Sequence, residues 1–385
     1  MLHALEGDGT RERTSLLCGG SGRRPGFNMS ELSERYRVSR KTGYKWWGRY
    51  QKEGIRGLQD RSRAPHHSPN RTPKEVAEAI LEAKRKHPRW GARTLLPWLM
   101  RRHPEVKWPV SSTAQEILKR KGLTEPRRRR RRHACRNKPV LEVGEPHEVL
   151  TADFKGEFRT QDGSYCYPLT VADYMSRYLL ACRAFASTAG RPVKGVFVHI
   201  FREYGLPRTI LTDNGTPFAS TGLRRLSRLS VWWIRLGIDP VLIQPGHPEQ
   251  NGRHERMHRT LKEHTTRPPA ANRAAQQKGF DRFRAEYNQE RPHQALQDKT
   301  PAEVYRTSER PYPKRLPRLE YPGYFEVRRV GSNGCIRWQG HRLFLSGVLQ
   351  GQDVGLNEIE DGIWSVCFGS VLLGRYDERQ QRLYG

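Results

Sequence analysis

Thr209-Ile210-Leu211-Thr212-Asp213-Asn214-Gly215-Thr216-Pro217-Phe218 is the stretch whose reading decides the fold. Its first four residues are β-branched or apolar and uncharged, so they read as a strand inside a sheet. Asp213-Asn214-Gly215 behind them is a turn signal. A carboxylate therefore ends an interior strand, at the carboxyl edge where open α/β sheets collect ligands. Upstream, Val149-Leu150-Thr151-Ala152-Asp153-Phe154 reads as a first strand, Tyr165 to Ala172 as a second and Tyr178 to Phe185 as a third. Residues 190–204 read as a helix with Val193, Val196, Phe197, Ile200 and Phe201 on one face. Pro240 to Gln244 reads as a fifth strand, and 251–264 as a helix with Met257 and Leu261 inward. Three hairpin-linked strands, then helix, strand, helix, strand, helix, predict a mixed α/β layer with helices on both faces.

Asp153 falls within the first strand and Asp213 ends the fourth, and the two strands can be neighbours. Facing carboxylates repel unless a cation joins them. Hard oxygen ligands with open water positions suit Mg²⁺. A third carboxylate from the closing helix completes a two-metal site of the kind that runs phosphoryl transfer. Glu249 and Glu255 compete for that place. Glu249 sits in Pro245-Gly246-His247-Pro248-Glu249-Gln250, a loop with two prolines; Glu255 lies one turn into the helix. A rigid helix holds a ligand more closely than a loop, which favours Glu255.

The flanks carry the charge. The chain has 385 residues and a formal net charge of +30. Residues 1–150 hold 35 basic against 16 acidic side chains, most of the excess. Such an excess points to a polyanion, and phosphate backbones are the usual one. An 18-residue apolar run is missing, which excludes a spanning helix, and no apolar segment follows a basic start, so no secretory signal is read. The six cysteines form no C-x-x-C and no His/Cys zinc spacing, so a reduced cytoplasmic compartment is expected, and the resemblance given below would place the chain beside a bacterial nucleoid.

Residues 1–28 are Gly/Arg-rich and read as disordered. Residues 29–56 read as a helix-turn-helix. Leu32, Tyr36 and Val38 supply one apolar face, Ser39 caps the second helix, and Tyr44, Trp46 and Trp47 form its apolar side. Arg40, Lys41, Thr42 and Lys45 are then offered to a DNA major groove. A linker is expected over 57–71. A second helical DNA-binding domain follows over 72–125, with helices at 73–87, 91–102 and 111–121; Ser112 and Thr113 open its last helix. Arg127, Arg128, Arg129, Arg130, Arg131 and Arg132 form a run that cannot fold on itself, so 126–146 reads as a basic arm lying along phosphates. A helix at 280–290 and a Pro-rich linker at 307–322 lead to 323–385. There, alternating apolar and polar residues predict five short strands and a small β-barrel.

With these pieces in order, residues 147–306 resemble the integrase catalytic core shared by retroviral integrases and many bacterial transposases. The matching motifs are Thr151-Ala152-Asp153-Phe154, Leu211 to Phe218, Gln250-Asn251-Gly252-Arg253-His254-Glu255-Arg256, Tyr287 to Leu296 and Thr300-Pro301-Ala302-Glu303. With Ser39 to Trp46 upstream, roughly residues 29–310 look like an insertion-sequence transposase of the type numbered 481. The resemblance implies an RNase H-like fold and an Asp-Asp-Glu triad, carried by motif onto Asp153, Asp213 and Glu255, binding two Mg²⁺ or Mn²⁺ per site. The family's second spacing is about 35 residues, which counts to Glu249, while the Gly-x-x-Glu context keeps Glu255, with extra residues in a loop around 219–238. It also implies double-stranded DNA as partner, both element ends and target, and a homo-oligomer on that DNA. The implied reaction is metal-dependent 3′-end cleavage followed by strand transfer.

Two rivals are a DNA-binding regulator with an inactive core and a junction-resolving nuclease of the same fold. The three carboxylates argue against the first, and the helix-turn-helix, the basic arm and the expected β-barrel against the second. One departure stands at the front, where residues 1–28 do not supply the amphipathic helix such proteins carry before the Met29 segment. Asp173 is expected to cap a turn, and His247 and His254 to be surface or helix contacts. Asn214 and Arg253 are candidates for touching scissile phosphates.

Overall fold

The computed structural model describes residues 28–59, 71–124, 141 and 143–384, with the side chains of Pro248 and Glu249 left out. The chain divides into two compact units, one ending at Arg71 and one beginning at Thr72. The expected disordered segment, most of the 57–71 linker and the Arg127–Arg132 run lie outside the described residues.

The first unit holds α1 (Met29–Arg35), α2 (Arg40–Glu53) and a 3₁₀ turn at Gly54–Leu58. Asn28 caps α1 by accepting from the Ser30 N–H. Ser39 caps α2 through the Thr42 N–H at 3.2 Å, and the two hydroxyls share a second hydrogen bond at 2.8 Å. Between the helices Arg37 takes the left-handed conformation at φ 52°. The helices touch at Gly43, where a Cβ would lie 2.8 Å from the Met29 sulfur. This is the expected helix-turn-helix, with one difference. Tyr44 is 60% exposed, so it does not belong to the apolar side that Trp46 and Trp47 half-bury.

The second unit opens with α3 (Lys74–Lys86), α4 (Ala92–Arg102) and α5 (Ser111–Arg120). They close around Ile80, Trp90, Leu95, Leu99 and Leu118. Then come β1 (Val149–Phe154), β2 (Phe158–Arg159), β3 (Tyr165–Asp173), β4 (Leu179–Phe185), α6 (Gly190–Tyr204), β5 (Thr209–Thr212), α7 (Arg228–Arg235), β6 (Asp239–Leu242) and α8 (Gly252–Thr265). The sheet runs β2-β3-β1-β5-β6, with β4 also on β3. The hairpin strands pair antiparallel, while β1, β5 and β6 run parallel, which is the RNase H-like arrangement.

Strand alternation sorts the faces. Leu150, Ala152, Leu169 and Val171 pack with Val193, Phe197 and Phe201 of α6 and Trp232 and Trp233 of α7. Ala172, Leu179 and Cys182 meet Met257 and Leu261 of α8 and Phe280 and Phe283 of α9 (Arg273–Ala285) on the other side. Between β5 and β6 the expected helix is α7, with Leu229, Trp232 and Trp233 buried, and it takes up part of the stretch around 219–238 where extra loop residues are expected.

The outer edge of β4 is closed by side chains rather than by a strand. The Gln277 amide accepts from Ala184 N–H at 2.8 Å and donates to Cys182 O at 3.0 Å. Arg284 donates to Leu180 O at 2.7 Å. Asn288, in the π turn Glu286–Glu290 that continues α9, accepts from Leu179 N–H at 2.8 Å and donates to Leu179 O at 3.0 Å. A bare strand edge is a template for unwanted pairing, and these amides occupy it.

After the short α10 (Pro301–Val304) the chain runs back along the core as an extended strap. Arg310 donates to Pro207 O at 2.9 Å, Leu236 O at 3.1 Å and Gly237 O at 2.9 Å. Tyr312 and Leu316 pack on the main core. Beyond it lie β7 (Glu326–Arg329), β8 (Cys335–Trp338), β9 (His341–Phe344), β10 (Asp353–Glu360), β11 (Ile363–Phe368), β12 (Val371–Asp377) and β13 (Arg382–Tyr384). The expected small barrel is not formed. The strands make an open five-stranded sheet, β13-β12-β11-β10-β7, beside the separate β8-β9 hairpin. Where five short strands are expected, seven form among the described residues, with β12 and β13 on the edge away from β7. The core of this sheet (Trp338, Val354, Leu356, Phe368) also takes in Leu226, Val231 and Ile234 from the α7 region. Among the described residues no helix is long and apolar enough to cross a membrane.

Candidate metal-binding active site

The β1–β5 register pairs Ala152 with Thr212, so Asp153 and Asp213 follow as the next residue on each of two adjacent parallel strands. Alternation turns Asp153 to the face covered by α8, opposite to Ala152. Two elements hold its side chain there. The Asn251 amide points at Asp153 Oδ2 from 3.4 Å, and His258 Nδ1 lies 3.7 Å from the same oxygen. Burial first, then the negative charges of Asp213 and Glu255, push the Asp153 carboxyl up to about 7, with Lys155 opposing. Asp213 is also raised by burial, against the Gly215 N–H that its Oδ1 accepts at 3.2 Å. Glu255 stands exposed in the first turn of α8, where its charge reaches Asp153. The fold thus brings all three expected carboxylates into one electrostatic neighbourhood. Their mutual repulsion is what a divalent cation relieves, and an all-oxygen donor set fits a hard ion. The rival Glu249 falls in the 3₁₀ turn Pro248–Asn251, and its side chain is outside the described ones.

Beneath the carboxylates lies a polar layer that sequence reasoning missed. His254, expected as a surface or helix contact, is a buried contact of α8. Its Nδ1 meets the Thr151 hydroxyl at 2.8 Å and its Nε2 the Thr170 hydroxyl at 2.6 Å. His258 Nε2 meets the same Thr170 hydroxyl at 2.6 Å. Burial depresses both rings, His254 to about 3, so both are neutral. Asp153, His254 and His258 offer ligand atoms within 4.8 Å of one another. Both His254 nitrogens already have hydroxyl partners, however, so this trio is a poorer metal site than the carboxylates. The four-residue spacing of the two histidines, on the helical face shared with Met257 and Leu261, was the available signal.

Other expected residues are placed as follows. Asp173 caps its turn, accepting from Ser176 N–H at 2.7 Å and from His147 N–H at 2.7 Å. Asn214 ties two strand ends, donating to Ile243 O at 2.8 Å and accepting from Arg225 at 2.8 Å. Arg253 donates to Tyr174 O at 2.8 Å and lies over the Tyr174 ring at 4.1 Å. Asn214 and Arg253 therefore have partners within the protein. His247 is half-buried in the loop before α8. On α2, Arg40, Lys41 and Lys45 are exposed, while Thr42 is half-buried and spent on the cap. On α5, Ser112, Thr113, Gln115 and Lys119 are exposed. The outer side of α8 shows Arg253, Arg256, Arg259 and Lys262, a basic row beside Glu255.

Comparison with known proteins gives the family of both parts of the chain. Residues 144–248 and 236–301 each match a family described as an integrase core domain, and 42–118 match a homeodomain-like domain. An uncharacterised 31.7 kDa protein of insertion element IS407 from Burkholderia multivorans is 26% identical over 59% of this chain and 79% of its own length. A 39.2 kDa protein of IS476 from Xanthomonas euvesicatoria is 25% identical over 63% of this chain and 69% of its own. The HTLV-2 integrase catalytic core, solved in complex with magnesium, aligns at 14% identity with a TM-score of 0.34, covering 44% of this chain and 99% of that one. A likeness that distant carries no weight beside the sequence matches.

Proposed function

We propose that this chain, a transposase of the insertion-element kind built on an integrase catalytic core, cuts the 3′ ends of a DNA element and joins them to a target. The observation that carries this reading is the placement of Asp153 and Asp213 each one residue beyond the Ala152–Thr212 pair of the adjacent parallel β1 and β5, with the charge of Glu255 reaching Asp153. In this reading Asp153, Asp213 and Glu255 are the metal ligands. Divalent cations held there, two Mg²⁺ or Mn²⁺ by resemblance to the family, supply activation of the attacking oxygen and neutralise charge at the phosphate. The protein's own part is to present the ligands. Asn251 and His258 hold Asp153 Oδ2 on the α8 side, and the Gly215 N–H steers Asp213 Oδ1. Burial and the neighbouring carboxylates favour the protonated form of Asp153, so a cation held there would displace that proton. No side-chain nucleophile is required. The exposed cations of α2 face a DNA major groove, those of α8 lie along phosphates, and α5 enters a groove, with copies of the chain assembling on the paired ends.

Duplexes carrying candidate element ends, incubated with Mg²⁺ or Mn²⁺, test this reading. The full chain nicks 3′ ends and transfers them. Asp213→Asn abolishes transfer and leaves end binding largely intact. Transfer at normal rate by that variant overturns the assignment.

A further inference from the structure

The helical group α3–α5 is bound to the catalytic core at two separate points. At the end of α4, Arg101 donates from Nη1 to Glu303 Oε2 at 2.7 Å and from Nη2 to Asp298 O at 2.5 Å. The receiving surface is itself held in shape. Glu303 Oε2 also accepts from the Thr300 N–H at 2.6 Å and hydroxyl at 2.9 Å, closing the capping box of α10. Gln297 and Asp298 both adopt left-handed backbone, φ 55° and 61°, which presents the Asp298 carbonyl. At the end of α3, buried His87 places Nδ1 3.4 Å from Glu286 and Nε2 3.9 Å from Glu290, with its ring stacked on Trp90 at 3.9 Å. Beside it Arg89 donates to Arg267 O at 3.1 Å, and Arg291 lies over the Trp90 ring at 5.9 Å.

One tether fixes a distance. Two, from the ends of different helices and both landing on residues 286–303, fix an orientation as well. The outward face of α5 is thereby held at a set place relative to Asp153 and Asp213. Resting on the transposase reading above, we propose that Arg101 and His87 are positioning residues for the cut. By clamping the helical group to the core they set which phosphate, counted from the duplex segment held by α5, meets the catalytic carboxylates. Neither residue touches DNA or metal in this scheme. A pre-organised spacing of this kind confers selectivity without any base contact at the cut itself.

The test uses the full chain and an end-labelled duplex made from DNA flanking its own reading frame, with Mn²⁺. The parent chain cuts at one phosphate. Arg101→Ala and His87→Ala keep their mobility-shift affinity for that duplex but spread the nick over neighbouring phosphates, and Arg101→Lys recovers the single band in part. Melting curves recorded alongside separate this from loss of fold, because a merely destabilised protein cuts less at the same place. A nick that stays at one phosphate in both alanine variants, at whatever rate, overturns the clamp and leaves the transposase reading standing. No metal-dependent nick from the parent chain overturns both.

Discussion

A Cβ on Gly215 would stand 3.1 Å from Asp213 Oδ2, so the residue after Asn214 must be small for that carboxylate to keep its place. Gly215→Ala is expected to raise the Mn²⁺ concentration needed for half-maximal nicking while the melting midpoint hardly moves; a titration of both quantities decides it. Of the two glutamates, Glu255→Gln should lose nicking and Glu249→Gln should keep it, and the opposite result would assign the third ligand to the loop. Buried histidines give a pH prediction. His147 donates from Nε2 to Gly205 O at 3.0 Å, so Nδ1 accepts from the Tyr305 hydroxyl at 2.6 Å and the ring stays neutral. Burial likewise lowers His264 to about 4 and His293 to about 3. Folded values below the unfolded 6.5 mean that the unfolded chain takes up protons first. Their stability contribution is whole above pH 6.5 and is lost as pH falls towards 4 and then 3. Urea midpoints should decline over that window and decline less in His293→Gln; an unchanged slope sinks the idea. The positions of Asp153 in β1, Asp213 just past β5 and Glu255 in the first turn of α8 were legible because strand ends and helix starts are marked by turn residues. The Thr151–His254–Thr170–His258 layer was not, since nothing local says which face of a strand meets which helix.

The elements most plainly written are those whose period fits their surroundings. The α6 helix, Gly190–Tyr204, spans the range its apolar face predicts, because one side of it is buried and the other is wet. The α7 helix, only eight residues long, is too short for a period to show and is apolar on nearly every side because two cores claim it. The start of α9 was read seven residues late, since Arg273 to Gly279 is polar; two of its glutamines face inward to bond backbone, Gln276 to Thr265 O and Gln277 to Cys182 O. Asn288→Ala strips the buried Leu179 N–H and C=O of their partner, which should cost about 1–3 kcal/mol in chemical denaturation. A loss near zero would mean that water replaces the amide freely.

The terminal sheet is part of the whole molecule's core rather than an appendage. Leu226, Val231 and Ile234 are buried in its cluster, and the strap from Ser308 to Leu316 lies along the catalytic core. Truncation after residue 322 therefore uncovers an apolar face of α7, and the shortened chain should aggregate, as light scattering would register. A monodisperse product would show the two parts to be independent. Composition announced a Pro-rich spacer here and could not announce the strap, because Arg310 reaches its three carbonyls only once distant loops are assembled. The clamp on α3–α5 has a consequence in the order of synthesis. Arg101 leaves the ribosome about two hundred residues before Glu303, and at 5–20 residues per second that delay lasts on the order of ten seconds or more. During it the nascent chain carries folded helices without the surface that orients them. These helices are made before the surface they clamp to, and the Thr300–Glu303 capping box joins the two before the terminal sheet, β7 to β13, is made.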